Sequence, residues 1–215
     1  MTLRGAYPAD RAAALSGVPK STVHYWARQD ILIPSLSAER VKLWSYSDLM
    51  GLRVVYWLRH GSDGVRAQSM PTVRKALAAL ADLELDLWSE DRGPAIAVER
   101  SGRLILDPTG LAGEMTGQRV AGEVLDLLHP FPTEEGTKGP DLRVPRPHLR
   151  IVPGKLAGEP HVSRSRVETQ ALAALGRRGM GTGKIARLYP SLDDTAIEEA
   201  IDLEHQLARN LSVAA

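Results

Sequence analysis

The 215-residue chain contains no cysteine, so it forms no disulfide and offers no thiolate to a metal. It also lacks an apolar run long enough to cross a membrane. Near Met1, Arg4, Asp10 and Arg11 interrupt any stretch that could serve as a secretory leader. These absences predict a cytoplasmic protein with no membrane partner. A strong net charge is missing too, because 27 Lys and Arg stand against 26 Asp and Glu.

Enzyme motifs are missing in detail. Gly179-Met-Gly-Thr-Gly-Lys184 falls short of a phosphate loop, since Arg178 stands where the first glycine belongs and Ile185 follows the lysine in place of Ser or Thr. The dinucleotide pattern fails because Lys184 occupies the third glycine position. His129, His148 and His161 have no metal-ligand spacing and His205 stands alone. Asp193-Asp194 and Glu198-Glu199 read as cap and first-turn acids of a helix. No enzyme, metal or cofactor is expected.

What is present is an uneven distribution of charge. Residues 1–80 carry 11 Lys and Arg against 5 Asp and Glu, residues 81–140 carry 5 against 12, and residues 141–215 carry 11 against 9. A basic head before an acidic middle suits a nucleic-acid-binding module joined to something else. The expected divisions are 1–83, 84–148 and 149–215. The expected fold class is mainly α with small β elements, α+β.

Within the head, Pro8 opens a short helix over Ala9–Leu15, and Ser16-Gly17-Val18-Pro19 breaks it. A second helix runs from Lys20 to about Gln29. Val23, Ala27 and Ile31 share one of its faces, while Lys20, Ser21, His24 and Arg28 lie largely on another. Residues 35–44 suit a two-stranded wing. Ser47 is a candidate cap for a third helix over Asp48–His60, with Leu49, Leu52, Val55 and Tyr56 on its apolar face. A fourth spans Pro71–Leu83. The middle contains strand-like runs at 85–88, 95–98 and 104–106, and 120–128 is either strand or short helix. Five prolines in 130–147 mark a linker or extended strap. Helices over Val167–Arg178 and Thr182–Leu188, and one from an Asp193 or Asp194 cap towards Leu211, complete a tri-helical tail. In the last of these, Ile197, Ala200, Ile201 and Leu207 form an apolar stripe available as core or as a dimer interface.

Two short helices about Gly17 form a helix-turn-helix, the arrangement that projects a second helix into the major groove. Arg11, Lys20, Ser21, Thr22, His24, Tyr25, Arg28, Arg40 and Lys42 are the candidate DNA contacts, with Tyr25 and Arg28 able to reach phosphates. Tyr25 and Trp26 cannot both face DNA, so one belongs to the core. The segment Val18-Pro-Lys-Ser-Thr-Val-His-Tyr-Trp-Ala-Arg-Gln-Asp-Ile-Leu, the following Pro34, and Lys42-Leu-Trp-Ser-Tyr-Ser-Asp-Leu resemble the MerR-type winged helix over residues 7–60. The sequence departs from that family at His24, Trp26, Asp30 and Lys42, changes that bear on base preference more than on scaffold. MerR-type regulators continue into a long dimerising helix, where this chain has Gly93-Pro94 and strand-like runs.

The tail carries a second resemblance. Tyr189-Pro-Ser-Leu192 ahead of Ala196–Ala200, with a proline-containing approach from Leu149, is similar to the small tri-helical, winged-helix-like domain of VapB-type antitoxins and associated proteins. The two resemblances together imply an antitoxin that represses its own operon by binding operator DNA and neutralises a PIN-domain ribonuclease toxin. They also imply candidate arginines for the toxin's carboxylates: Arg143, Arg146, Arg150, Arg177 and Arg178. A homodimer is expected, because winged-helix operators are usually read by two-fold pairs. The alternative is a stand-alone, ligand-responsive MerR-type transcription regulator.

Overall fold

A computed structural model describes residues 5–60, 66–82, 88–91, 93, 95–107 and 124–213. Strand β1 (Tyr7–Pro8) runs directly into helix α1 (Ala9–Ser16), with Asp10 in its first turn. Gly17 stops α1 in the left-handed region, at φ 81°, and its N–H donates to the carbonyl of Ala13 at 2.9 Å. Helix α2 (Lys20–Arg28) follows, with Val23, Trp26 and Ala27 buried. In the wing, Ser37 and Leu43 form a single antiparallel bridge. Strand β2 (Leu43–Trp44) then pairs with β1, placing Trp44 opposite Tyr7. The wing therefore draws its second partner from the strand before α1, and residues 35–44 alone supply only the bridge.

Helix α3 (Tyr46–Arg59) starts earlier than a Ser47 cap would place it. Ser45 Oγ accepts from the N–H of Asp48, and the Asp48 carboxylate accepts from the N–H of Ser45 at 2.7 Å. This reciprocal box satisfies two donors at once, which a cap at Ser47 could not do. Helix α4 (Met70–Ala81) has Pro71 in its first turn.

The middle of the chain forms a three-stranded antiparallel sheet in which β3 (Ala95–Glu99) lies between β4 (Leu104–Asp107) and β5 (Val124–Asp126). The expected runs at 85–87 and 120–123 lie outside the described residues. The proline-rich stretch is a strap. It contains a minimal hairpin of β6 (Phe131–Pro132) and β7 (Lys138–Gly139) and leads to β8 (Leu149–Arg150), which pairs with β9 (His161–Val162).

Helices α5 (Thr169–Arg177), α6 (Thr182–Leu188) and α7 (Asp194–Ser212) complete the chain. Val167 and Glu168 stay extended instead of joining α5, because the Val167 carbonyl accepts from Val162 at 3.0 Å and Glu168 bridges to His161. Asp193 caps α7 by accepting from the N–H of Ala196. The described residues thus form an α+β fold of helices with small antiparallel sheets.

One hydrophobic cluster runs through head, middle and tail. It takes in Leu15, Trp44 and Leu49, then Ile96 and Leu127, then Leu172 and Leu203. Ile197, Ala200 and Leu207 belong to it, so most of the α7 stripe is core and unavailable to a second chain; Ile201 alone is half-buried.

Polar groups pin the strap to the head. Arg53 on α3, fully buried, donates to the carbonyls of Leu15 (3.1 Å), Ser16 (3.1 Å), Leu127 (2.9 Å), His129 (2.8 Å) and Pro140 (2.6 Å). Burial pulls its guanidinium down to about 10, against the upward pull of Asp141. Gly17 and Gly139 meet backbone to backbone, leaving no room for a Cβ at either. From α7, Asn210 Nδ2 donates to the carbonyls of Ala14 and Lys138, both at 2.9 Å.

Candidate nucleic-acid interface

The candidate surface begins with the closure of α1 at Gly17, after which α2 packs Val23, Trp26 and Ala27 into the core and leaves its other face to solvent. Ser21, Tyr25 and Arg28 point outward, Thr22 and His24 are half-buried, and no acid lies in the first turn. The free N–H groups of that turn and the helix dipole favour an incoming phosphate. The choice between neighbouring aromatics is settled by packing: Tyr25 is 50% exposed and Trp26 only 5%. Beyond α2, the wing presents Arg40 and Val41 to solvent.

Two of the lysines are partly engaged. Lys20 Nζ pairs with Asp10 of α1 at 2.9 Å, in an exposed contact worth little against a phosphate. Lys42 Nζ donates to the carbonyl of Ala38 at 2.9 Å, which folds it over the wing's own turn. Arg28 and Arg40 are exposed cations with no partner among the described residues.

Arg11 is corrected out of this surface. Its side chain is 10% exposed and forms a two-pronged pair with Glu204 of α7, with both bonds at 2.8 Å. A third bond of 2.8 Å runs to Glu159, and Thr169 Oγ1 also donates to Glu204. A guanidinium sunk between two carboxylates cannot reach DNA; it joins α1 to α7 instead. No local pattern in the sequence pointed to Glu204, which lies 193 residues away.

The tail arginines divide into two groups. Arg143 donates to the carbonyl of Gly93 at 3.1 Å. Arg146 is held by Asp202 at 2.7 Å and by Gln206. Arg150 turns back on the carbonyls of Pro147 and Leu149, and its buried Nε has no hydrogen-bond partner among the described residues. These three are committed within the chain. Arg177 and Arg178, at the end of α5, are exposed. Sequence reading also missed a polar knot around Glu90, which accepts from Lys155 Nζ, from the N–H of Arg164 at 2.6 Å and from Ser163, with His161 Nε2 at 3.3 Å. Burial raises the Glu90 carboxyl, but these partners prevail and hold it at about 2.

Among the described residues, no group of His, Asp and Glu is placed to hold a metal ion, and no helix is long and apolar enough to cross a membrane. Residues 150–202, from the end of β8 into the first half of α7, match the family described as "Protein of unknown function (DUF433)". Neither the curated proteins nor the solved structures give a match to this chain. The family match thus falls on the tri-helical tail and its approach.

Proposed function

We propose that this protein binds operator DNA through α2 and the wing, and that it is the antitoxin of a toxin–antitoxin pair whose partner is a PIN-domain ribonuclease. The observation behind the DNA reading is the outward face of α2. Ser21, Tyr25 and Arg28 project from a rigidly closed turn, with no carboxylate in the first turn and with exposed Arg40 on the adjoining wing. Hydroxyls and a half-exposed imidazole suit base edges, and the arginines suit phosphates.

The ribonuclease partner rests on the resemblance of the head and tail to MerR-type and VapB-type proteins. Arg177 and Arg178 are the guanidinium groups available for a carboxylate-lined metal site, since Arg143, Arg146 and Arg150 are tied up internally. The ligand-responsive regulator has less support, because the described residues after α4 pass into a sheet and not into a long dimerising helix.

Fluorescence anisotropy with the DNA directly upstream of the gene tests the reading. The expected result is specific binding that weakens steeply with salt, with Arg28→Ala and Arg40→Ala each costing roughly tenfold and lowering the salt slope by about one. Equal affinity for random DNA would overturn it. For the second half, co-expression with a ribonuclease encoded beside the gene should restore growth, and the Arg177→Ala/Arg178→Ala double variant should not.

A further inference from the structure

The turn between β8 and β9 holds a backbone that its residues do not favour. Leu156, Ala157 and Gly158 lie consecutively in the left-handed region, at φ 51°, 51° and 80°. Glycine adopts that conformation freely, but in other L residues the Cβ crowds the following carbonyl, and such residues normally occur singly. Ala157 is exposed and Leu156 half-buried, so their own side chains gain little burial to offset the strain.

The offset comes from the head, which bonds to three residues in a row. The N–H of Ala6 donates to the Ala157 carbonyl at 2.9 Å, Tyr7 Oη to the Gly158 carbonyl at 2.7 Å, and Arg11 Nε to the Glu159 carboxylate at 2.8 Å. Tyr7 is fully buried, and burial pushes its phenol well above the ordinary value, so the hydroxyl stays a donor. The fit is close, for a Cβ on Gly158 would strike that hydroxyl. Tyr7 also pairs, through β1, with Trp44 of β2, the strand that leaves the wing. It thus joins the strand that closes the wing to the strained turn of the tail.

We infer that Leu156–Gly158 is a strained clasp coupling the wing to the tail: β1 holds the turn closed, and freeing β1 releases it. A strained segment persists only while its surroundings impose it. The clasp therefore has a closed state and a relaxed one, and a two-state element is what coupling between separate sites requires. Lys155, just before the turn, is held by Glu90, which confines the release to residues 156–159. A ligand that fixes β2 against β1 favours the closed clasp, and by linkage an open clasp weakens that ligand. The identity of that ligand as DNA rests on the reading of α2 and the wing given above; the clasp itself does not.

Hydrogen exchange in the full chain tests the clasp without DNA, read at the amides of Ala6, Gly158 and Glu159, which donate to carbonyls of the turn and of Lys155 before it. Tyr7→Phe keeps the ring, removes one bond, and should speed their exchange by at least about tenfold. Adding Ala157→Gly should slow it again, because glycine removes the strain that opens the turn. In a turn without strain the glycine would loosen it further, so the sign separates the two cases. Circular dichroism checks that each variant is folded. Anisotropy with the upstream DNA then reads the coupling: Tyr7→Phe should weaken binding by about fivefold, and Ala157→Gly, outside the candidate DNA surface, should recover it. Exchange unmoved by Tyr7→Phe, or faster still on adding Ala157→Gly, overturns the clasp. Unchanged affinity in a Tyr7→Phe variant whose turn has opened overturns the coupling. A wild type that binds no DNA overturns the DNA reading instead, and exchange alone then decides the clasp.

Discussion

Head and tail share a local plan, with two short helices joined by a glycine-containing turn, and the tail adds a long third helix whose start has the opposite charge to that of α2. In the head, α2 starts with Lys20 and has no acid in its first turn. In the tail, the long helix α7 starts with Asp193 as its cap and Asp194 in its first turn, and Glu198 and Asp202 follow along its exposed side. A helix N-terminus with free N–H groups attracts phosphate; one fronted by carboxylates repels it. The charge on the first two turns is therefore where α2 and α7 differ, and it is the difference on which the proposed DNA reading rests.

The comparison holds only if the head depends on the rest of the chain for its shape, and Arg53 is where that dependence breaks most easily. Arg53→Met removes the donor for five carbonyls, two from α1, two from the segment just after β5 and one from the strap. We expect a loss of about 3–5 kcal/mol, read by urea denaturation, together with the loss of DNA binding. A head that folds and binds normally in this variant would stand independently of the strap. Next in size is Glu204→Ala. It leaves Arg11 with Glu159 alone at the junction of α1 and α7 and should cost about 2–4 kcal/mol.

Transplanting charge tests the surface contrast directly. Ser21→Asp puts a carboxylate at the start of α2 and should weaken DNA binding by more than about tenfold, a change above ~1.4 kcal/mol. Asp194→Lys, in the first turn of α7, should leave it unchanged. If both substitutions alter affinity equally, the tail touches DNA as well and the division of labour fails.

How much of this was legible in the sequence depends on the distance over which each feature is encoded. The helices, the closing turn at Gly17 and the outward face of α2 follow from spacing along ten or twenty residues, and they appear where periodicity places them. The α3 start was legible too, since Ser45 stands three residues before Asp48, but the box was hidden by the nearer Ser47. Arg11 was misplaced because its burial is decided by Glu159 and Glu204, far along the chain. Arg53 gave no local signal, for a single arginine on an apolar helix has no periodicity of its own. The strap was only half legible: its prolines announced an extended segment, but its carbonyl partners lie in other elements.

The smallest effect concerns acid, and here head and tail should respond with opposite sign. On the tail side, Glu90 of the middle, gripped by Lys155, Ser163 and Arg164 of the tail, is held at about 2, below an ordinary 4.5. A depressed folded value means that its stabilisation is present above pH 4.5 and lost as the pH falls towards 2. In the head, burial raises Asp48 above its ordinary 3.8, although hydrogen bonds from Ser35 and Ser45 oppose the shift. A raised folded value means that its contribution is fully present below pH 3.8 and lost as the pH rises through the folded value. Comparing the stability of wild type with Glu90→Gln, and separately with Asp48→Asn, at each pH cancels every other group. The advantage of wild type over Glu90→Gln should shrink on acidification, while its advantage over Asp48→Asn should grow. Two differences that move together would mean that the knot around Glu90 and the cap at Ser45 are not the separate anchors of tail and head that their partners make them.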